Sequence, residues 1–263
     1  MHLGHKAILE KVKKNAKEKN LSSLVIFTEP HAAEYFSKIN NSSPPPRIIP
    51  WREKLRLISK NGIDFCMLLK FDESLKSMTP EQFTGEILEE LQIKSLTIGD
   101  DFKFGKDRKG DHQYLKSWGA SMGIEIDKTD TIKVDDQRVS STRIREALIS
   151  NNFKTANAML DWHYSYSGKV VYGSQLGREI GVPTANIWIP KQKLPISGVY
   201  AVKCMVNNAI YLGIANMGIR PTVGGKRPVL ETHIFDFEKD IYGRRITVPV
   251  SYTHLTLPTN REV

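Results

Sequence analysis

The sequence predicts an α/β protein in two parts, a doubly wound parallel sheet followed by an antiparallel β-barrel. Three observations carry this expectation. Over the first 150 residues, short continuously apolar runs alternate with stretches of helical periodicity, the pattern of a parallel sheet covered on both faces. Beyond about residue 161, strand-like runs follow one another with only turn residues between them, as in a barrel or sandwich. A length of 263 residues suffices for two cores, since domains run to roughly 100–200 residues.

Each element has its own signal. Leu3, Ala7, Ile8, Val12 and Ala16 recur at helical spacing, so the chain opens with a helix. Leu24, Val25, Ile26 and Phe27 form a short strand that ends at a turn holding Pro30. Residues 65–71 and 95–98 read as two further buried strands, with a helix over about 80–91 between them. A helix over 112–122 precedes a strand near Ile124 and Ile126. The polar, proline-rich run 40–46 is excluded from regular structure. A helix over 153–160 closes the first half, and strands are expected at 168–172, 198–206, 209–215, 229–235 and 245–250. The domains are therefore drawn as 1–160 and 161–250, with a tail over 251–263. A doubly wound sheet ordinarily opens with a strand, and none precedes the first helix, so the chain reads as truncated at its start.

Composition narrows the partners. The formal charge of +9 suits anions, either nucleotides or nucleic acid. The basic residues are dispersed among acidic ones in no dense run, so most lysines read as a solvated surface and no nucleic-acid partner is expected. No apolar run approaches the roughly 18 residues of a membrane span, and none resembles a secretion signal. Cys66 and Cys204 are far apart in apolar runs; they read as reduced core thiols of a cytoplasmic protein.

Two segments carry the chemistry of the first half. His2-Leu3-Gly4-His5 sits where the first helix opens, and a helix N-terminus gathers anions through free N–H groups and a partial positive charge. Gly4 would let a phosphate approach the backbone, and the imidazoles can donate to charge developing on phosphorus. Ser140-Ser141-Thr142-Arg143-Ile144-Arg145 places hydroxyls and guanidinium groups on the first turn of another helix. Taken together the two segments point to transfer of a nucleotidyl group. Taken singly, the histidines could be surface residues and Ser141 and Thr142 plain helix caps. Between them lies a glycine-rich basic loop over 99–110, where Gly99 and Gly105 could equally be turn residues.

In the second half, Gly177-Arg178-Glu179-Ile180-Gly181-Val182-Pro183-Thr184-Ala185-Asn186 joins glycine turns to a hydroxyl and an amide two residues apart. On an extended segment Thr184 and Asn186 point to one side, where both can offer oxygen to Mg²⁺ or bond a phosphate. Glu231 lies in an alternating strand whose neighbours Leu230 and Thr232 face the other way, so its carboxylate could take a proton from an attacking hydroxyl.

The order of these motifs resembles the bacterial bifunctional riboflavin kinase/FMN adenylyltransferase family, also called FAD synthetase, over nearly the whole chain. The motifs are His-x-Gly-His, the turn at 28–31, Gly-x-x-Phe-x-Phe-Gly from Gly99, Ser-Ser-Thr-x-x-Arg, Gly-Arg-x-x-Gly-x-Pro-Thr-Ala-Asn and Leu-Glu-x-His. The last two are the more specific. Residues 215–222 and 240–243 also look like that family's barrel.

The resemblance implies a Rossmann-like adenylyltransferase domain and a kinase barrel, with ATP, riboflavin and FMN as substrates and Mg²⁺ as cofactor. It implies that Glu231 is the kinase base, with Thr184 and Asn186 organising Mg²⁺ and Gly177 and Arg178 belonging to the ATP loop. It implies that His2 and His5 stabilise the α-phosphate, beside Gly4, while Ser141, Thr142 and Arg145 hold the β- and γ-phosphates. Asp101 stands where the family often has Asn. The chain departs from the pattern at both ends: the family has a strand ending in Phe-Asp-Gly before the histidines, and residues 251–263 lack its closing helix. A nucleotidyltransferase acting on another phosphate ester, with an accessory barrel, is the alternative. A basic flavin- or nucleic-acid-binding module without turnover is the non-enzymatic one.

Overall fold

A computed structural model describes residues 1–173, 182–189, 194–222 and 225–250. It resolves into two compact units, Met1–Pro45 with Trp51–Val139, and Pro46–Pro50 with Ser140 onward. This grouping places the helices between Ser140 and Leu160 with the barrel, whereas the change of pattern in the sequence falls at Asp161.

The first unit begins with α1 (Leu3–Glu18), followed by β1 (Leu24–Glu29), α2 (Ala32–Ile39), α3 (Trp51–Lys60) and β2 (Phe65–Lys70). After the short α4 (Glu73–Ser77) and α5 (Pro80–Phe83) come β3 (Ser95–Ile98), α6 (His112–Met122) and β4 (Glu125–Lys128). A small hairpin, β5 (Lys133–Val134) and β6 (Gln137–Arg138), closes the unit. β1 pairs β2 in parallel and β3 pairs β4 in parallel. Among the described residues these pairs are two separate two-stranded parallel sheets, with apolar residues packed against each. On one side Val25 and Phe27 pack with Leu9, Ile58 and Ile63 from α1 and α3 and the turn after α3. On the other, Ile26, Leu96 and Ile126 pack with Leu88, Ile98, Phe104 and Leu115.

Three expectations change here. The helix over 80–91 is α5 followed by a π-helical stretch at Thr84–Glu89. The buried Thr84 hydroxyl donates to the carbonyls of Pro80 (3.1 Å) and Glu81 (3.0 Å), and such back-bonding competes with the regular ladder. The strand over 65–71 is not buried on both faces: Cys66, Leu68 and Lys70, which share one face, are exposed along with Phe65. Cys66 is consequently an exposed thiol rather than a core one, whereas Cys204 is buried.

The second unit holds α7 (Ser141–Ile149) and α8 (Phe153–Leu160), then β7 (Ser165–Val171), β8 (Ala185–Ile187), β9 (Gly198–Val206), β10 (Ala209–Thr222), β11 (Gly225–Ile234) and β12 (Arg245–Pro249). The six strands close an antiparallel barrel in the order β10-β11-β8-β7-β12-β9. Alternation decides what fills it: Tyr166, Val170, Tyr200, Val202, Cys204, Met217, Leu230, Ile246 and Val248 are all buried. α8 is tied on by Tyr200, whose hydroxyl donates to Asn151 Oδ1 at 2.9 Å and whose ring meets Phe153 edge-on.

Candidate functional site

In the first unit, His2 caps α1 in an extended conformation (φ −123°, ψ 172°) and His5 lies one turn on. Their rings lie 3.9 Å apart between centroids, tilted by 32° to one another. The His2 backbone N–H donates to His5 Nδ1 at 3.4 Å, which leaves the proton of a neutral His5 on Nε2. His2 Nδ1 is buried and has no hydrogen-bond partner among the described residues. Gly4 leaves the His2 ring its room: a Cβ there would stand 3.2 Å from Cε1 and Nδ1 of His2, a tight contact that would push on the ring.

Electrostatics keeps both rings neutral at pH 7. Burial is the main reason the His2 pKa falls to about 4, helped by the N-terminal amine and Arg138 and opposed by Asp101. The edge of His5 is exposed, yet its pKa also drops well below the ordinary value, through the surrounding protein first and His2, the N-terminal amine and Lys54 after it. Neutral imidazole can still donate one hydrogen bond, and it does so without a proton to lose to the phosphate.

The turn after β3 supplies the neighbouring charges. Arg138, on β6, reaches Asp100 at 2.6 Å and Asp101 at 2.9 Å, and the Thr131 hydroxyl also donates to Asp100. Asp101 is thus brought beside His2 together with Arg138, which the motif reading missed. The signal was present four residues before Thr142, but nothing in the one-dimensional pattern joins it to Asp100. Gly99 lies against Ile8 of α1 (3.6 Å from a Cβ placed there), so the α1 N-terminus stands at the carboxyl end of β3, where open α/β sheets bind ligands.

Ser141, Thr142 and Arg145 belong to α7. Ser140 caps it by accepting the Arg143 N–H at 3.2 Å. Ile144, Ala147 and Leu148 bury one face; Ser141 and Arg145, spaced i and i+4, are neighbours at its margin, and Thr142, three before Arg145, lies further toward the exposed side. Arg145 Nε donates to the Pro46 carbonyl at 2.7 Å. The structure groups these three residues on one helix and the two histidines with Asp101 at another helix N-terminus.

In the barrel, Glu231 of β11 stands directly opposite Asn186 of β8 on one side and Asn216 of β10 on the other. Leu230 and Thr232 are buried inside, so Glu231 and His233 face outward, as the alternation predicted. His233 Nδ1 lies 2.8 Å from the Pro183 carbonyl; because a carbonyl only accepts, this nitrogen carries the proton. That contact fixes the residue before Thr184, a role the sequence did not reveal. Gly173 lies against the same side chain: a Cβ there would stand 2.3 Å from the Asn186 amide nitrogen and would force that amide to move. Tyr172, exposed, stacks on Tyr242 at 4.0 Å beside it. Gly177 and Arg178 lie outside the described residues.

A histidine-bearing helix N-terminus on an α/β unit, followed by an outward carboxylate on a six-stranded antiparallel barrel, is an arrangement suited to a two-part transferase. Family models agree with both parts: FAD synthetase matches residues 1–143 and riboflavin kinase residues 160–254. The chain is 38% identical over 250 residues to the bifunctional riboflavin kinase/FMN adenylyltransferase of Escherichia coli K12, covering 94% of this chain and 79% of that one. It is 39% identical to the protein of the same name from Haemophilus influenzae, over 94% and 80%, and 36% identical to that of Pseudomonas fluorescens, over 94% and 79%. The chain belongs to the bifunctional riboflavin kinase/FMN adenylyltransferase family. A crystal structure described as a macrolide-efflux protein from Streptococcus pneumoniae superposes with a TM-score of 0.77 at 28% identity, over 96% of this chain and 82% of that one. Among the described residues of this chain no helix is long and apolar enough to cross a membrane.

Proposed function

We propose that this chain phosphorylates riboflavin to FMN in its barrel and adenylylates FMN to FAD in its first domain, releasing pyrophosphate. The domains are assigned as 1–160 and 161–250. The observation that carries the kinase half is the register of Glu231 against Asn186, which sets a carboxylate beside an amide oxygen on the barrel's outer face.

In the first reaction, the terminal ribityl hydroxyl attacks the γ-phosphorus of ATP, and the bond to the β-bridging oxygen breaks to leave ADP. Glu231 takes the hydroxyl proton. Thr184 and Asn186 orient the phosphates, with His233 holding their segment through Pro183. Their hydroxyl and amide oxygens are hard donors of the kind Mg²⁺ accepts. Bound there, Mg²⁺ would neutralise phosphate charge. The protein's share is positioning and electrostatics, as in other phosphoryl transfers.

In the second reaction an FMN phosphate oxygen attacks the α-phosphorus of a second ATP, and pyrophosphate leaves. His2 and His5 donate to the α-phosphate oxygens as neutral imidazoles. Ser141, Thr142 and Arg145 hold the β- and γ-phosphates; Asp101, paired to Arg138, borders the nucleotide. ATP as co-substrate of both steps suits a cytoplasmic setting.

Incubation with riboflavin, ATP and Mg²⁺, followed by chromatography of the flavins, tests both halves. Glu231→Gln should slow FMN formation by about 10²–10⁴-fold, the usual worth of a general base, and leave conversion of added FMN to FAD intact. His5→Ala should do the reverse. A Glu231→Gln rate near the parent value removes Glu231 as base, and equal loss of both products by either variant removes the two-site reading.

A further inference from the structure

The run Pro44-Pro45-Pro46 connects α2 to α3. From Pro46 to Pro50 it groups with α7 and the barrel, although α2 and α3 both belong to the first unit. The buried Pro46 accepts a hydrogen bond at its carbonyl from Arg145 Nε at 2.7 Å, across 99 residues of sequence.

Two physical features make this more than a staple. Each proline fixes its own φ near −65°, and each residue before a proline is held in the extended region, so Ser43, Pro44 and Pro45 lose most of their freedom. The acceptor is therefore presented by a stiff strut. The guanidinium it meets is planar, so anchoring Nε sets the plane of the whole group and the line along which its η nitrogens point. A lysine at 145 would have no such plane to set.

We propose that the triple-proline segment is a positioning strut that orients the Arg145 guanidinium toward the β- and γ-phosphates of the adenylylating ATP. This rests on the proposed role of Arg145 above. Pro46 itself touches no substrate; it acts through Arg145. The run that the sequence excluded from regular structure thereby gains a task in the second reaction only.

The test compares the full chain with a P44A/P45A/P46A variant, with Arg145→Ala, with Arg145→Lys, and with the triple substitution combined with Arg145→Ala. FAD formation from added FMN is followed against ATP concentration. The triple variant keeps a carbonyl at 46 but loses the stiffness; it should raise KM for ATP by about 3–10-fold with kcat within about twofold, the mark of a lost binding interaction. Arg145→Lys should show the same split. In the Arg145→Ala background the triple substitution should add nothing, because the group it orients is gone. Riboflavin phosphorylation should not change. Calorimetric titration with α,β-methylene-ATP should give the same order of affinities at the adenylylating site without relying on turnover.

The outcomes separate the two claims. If Arg145→Ala leaves KM and affinity unaltered, the assignment of Arg145 to the phosphates fails. If Arg145→Ala weakens ATP and the triple variant matches the parent, the strut fails alone. If the triple substitution has its full effect in the Arg145→Ala background, the segment is merely structural and the inference is overturned. Should the triple variant unfold, Pro46→Ala alone takes its place, with the same expected split and the same reversal.

Discussion

Gly4 shows how a single absent methyl can serve a site. Alanine at that helical position would gain up to about 1 kcal/mol of helix propensity, yet its Cβ would sit 3.2 Å from the His2 ring. Gly4→Ala should therefore leave the melting temperature unchanged or raised while FAD formation drops at least tenfold; wild-type FAD formation in this variant would show that the ring's seat is dispensable. The histidine pair also predicts a pH dependence. Protonated His2 is disfavoured in the folded state, with a pKa of about 4 against 6.5 for the free residue, so between these values the unfolded chain binds more protons. Stability should decline as pH falls from about 6.5 to about 4 and lose no more through His2 below that. The loss attributable to it is at most about 3 kcal/mol. Chemical denaturation of the parent and His2→Gln at pH 7 and pH 4.5 measures it: the parent should lose more than the variant, and equal losses would remove His2 as the cause.

Among the elements, the barrel strands place the carboxylate by alternation, and a glycine lets two of them approach closely. Gly168 of β7 has no room for a side chain: a Cβ would lie 2.4 Å from Ile187 Cγ2 and 2.7 Å from the Trp188 carbonyl. Ile187 follows Asn186 on β8, so strain there displaces the site as well as the core. Gly168→Ala should cost about 1–3 kcal/mol, as overpacking does, and slow FMN formation. Urea unfolding with unchanged midpoint would sink this. α7 divides its labour by the same geometry. Ile144 and Leu148 are fully buried, and Thr142 and Arg145, three apart, lie off that stripe because 3.6 residues make a turn. The π-helical stretch beginning at Thr84 was not legible, since no residue type marks an i→i+5 turn in advance.

For the whole molecule, two chemistries on one chain imply that each can be lost without the other. Mixed in equal amounts, Glu231→Gln and His5→Ala proteins should convert riboflavin to FAD, because each performs the step the other lacks. A mixture that stops at FMN would show that FMN does not pass from one chain to the other. Composition and periodicity were enough to read an α/β first half and an all-β second half, since both depend on burial patterns that repeat every two or 3.6 residues. The histidine and Ser-Ser-Thr motifs were equally readable, because helix termini are marked by local residues. Contacts distant in sequence were not. Arg138 with Asp100, His233 with Pro183, Asn216 with Glu231 and Arg145 with Pro46 are joined only when strands pair and loops return. Cys66 carried the same ambiguity: an apolar strand reads as buried, and only the fold decides that the face it shares with Leu68 and Lys70 is left exposed. Local free energy writes itself into residue order, whereas a partner 50 or 99 residues away is chosen by the packing of the entire fold.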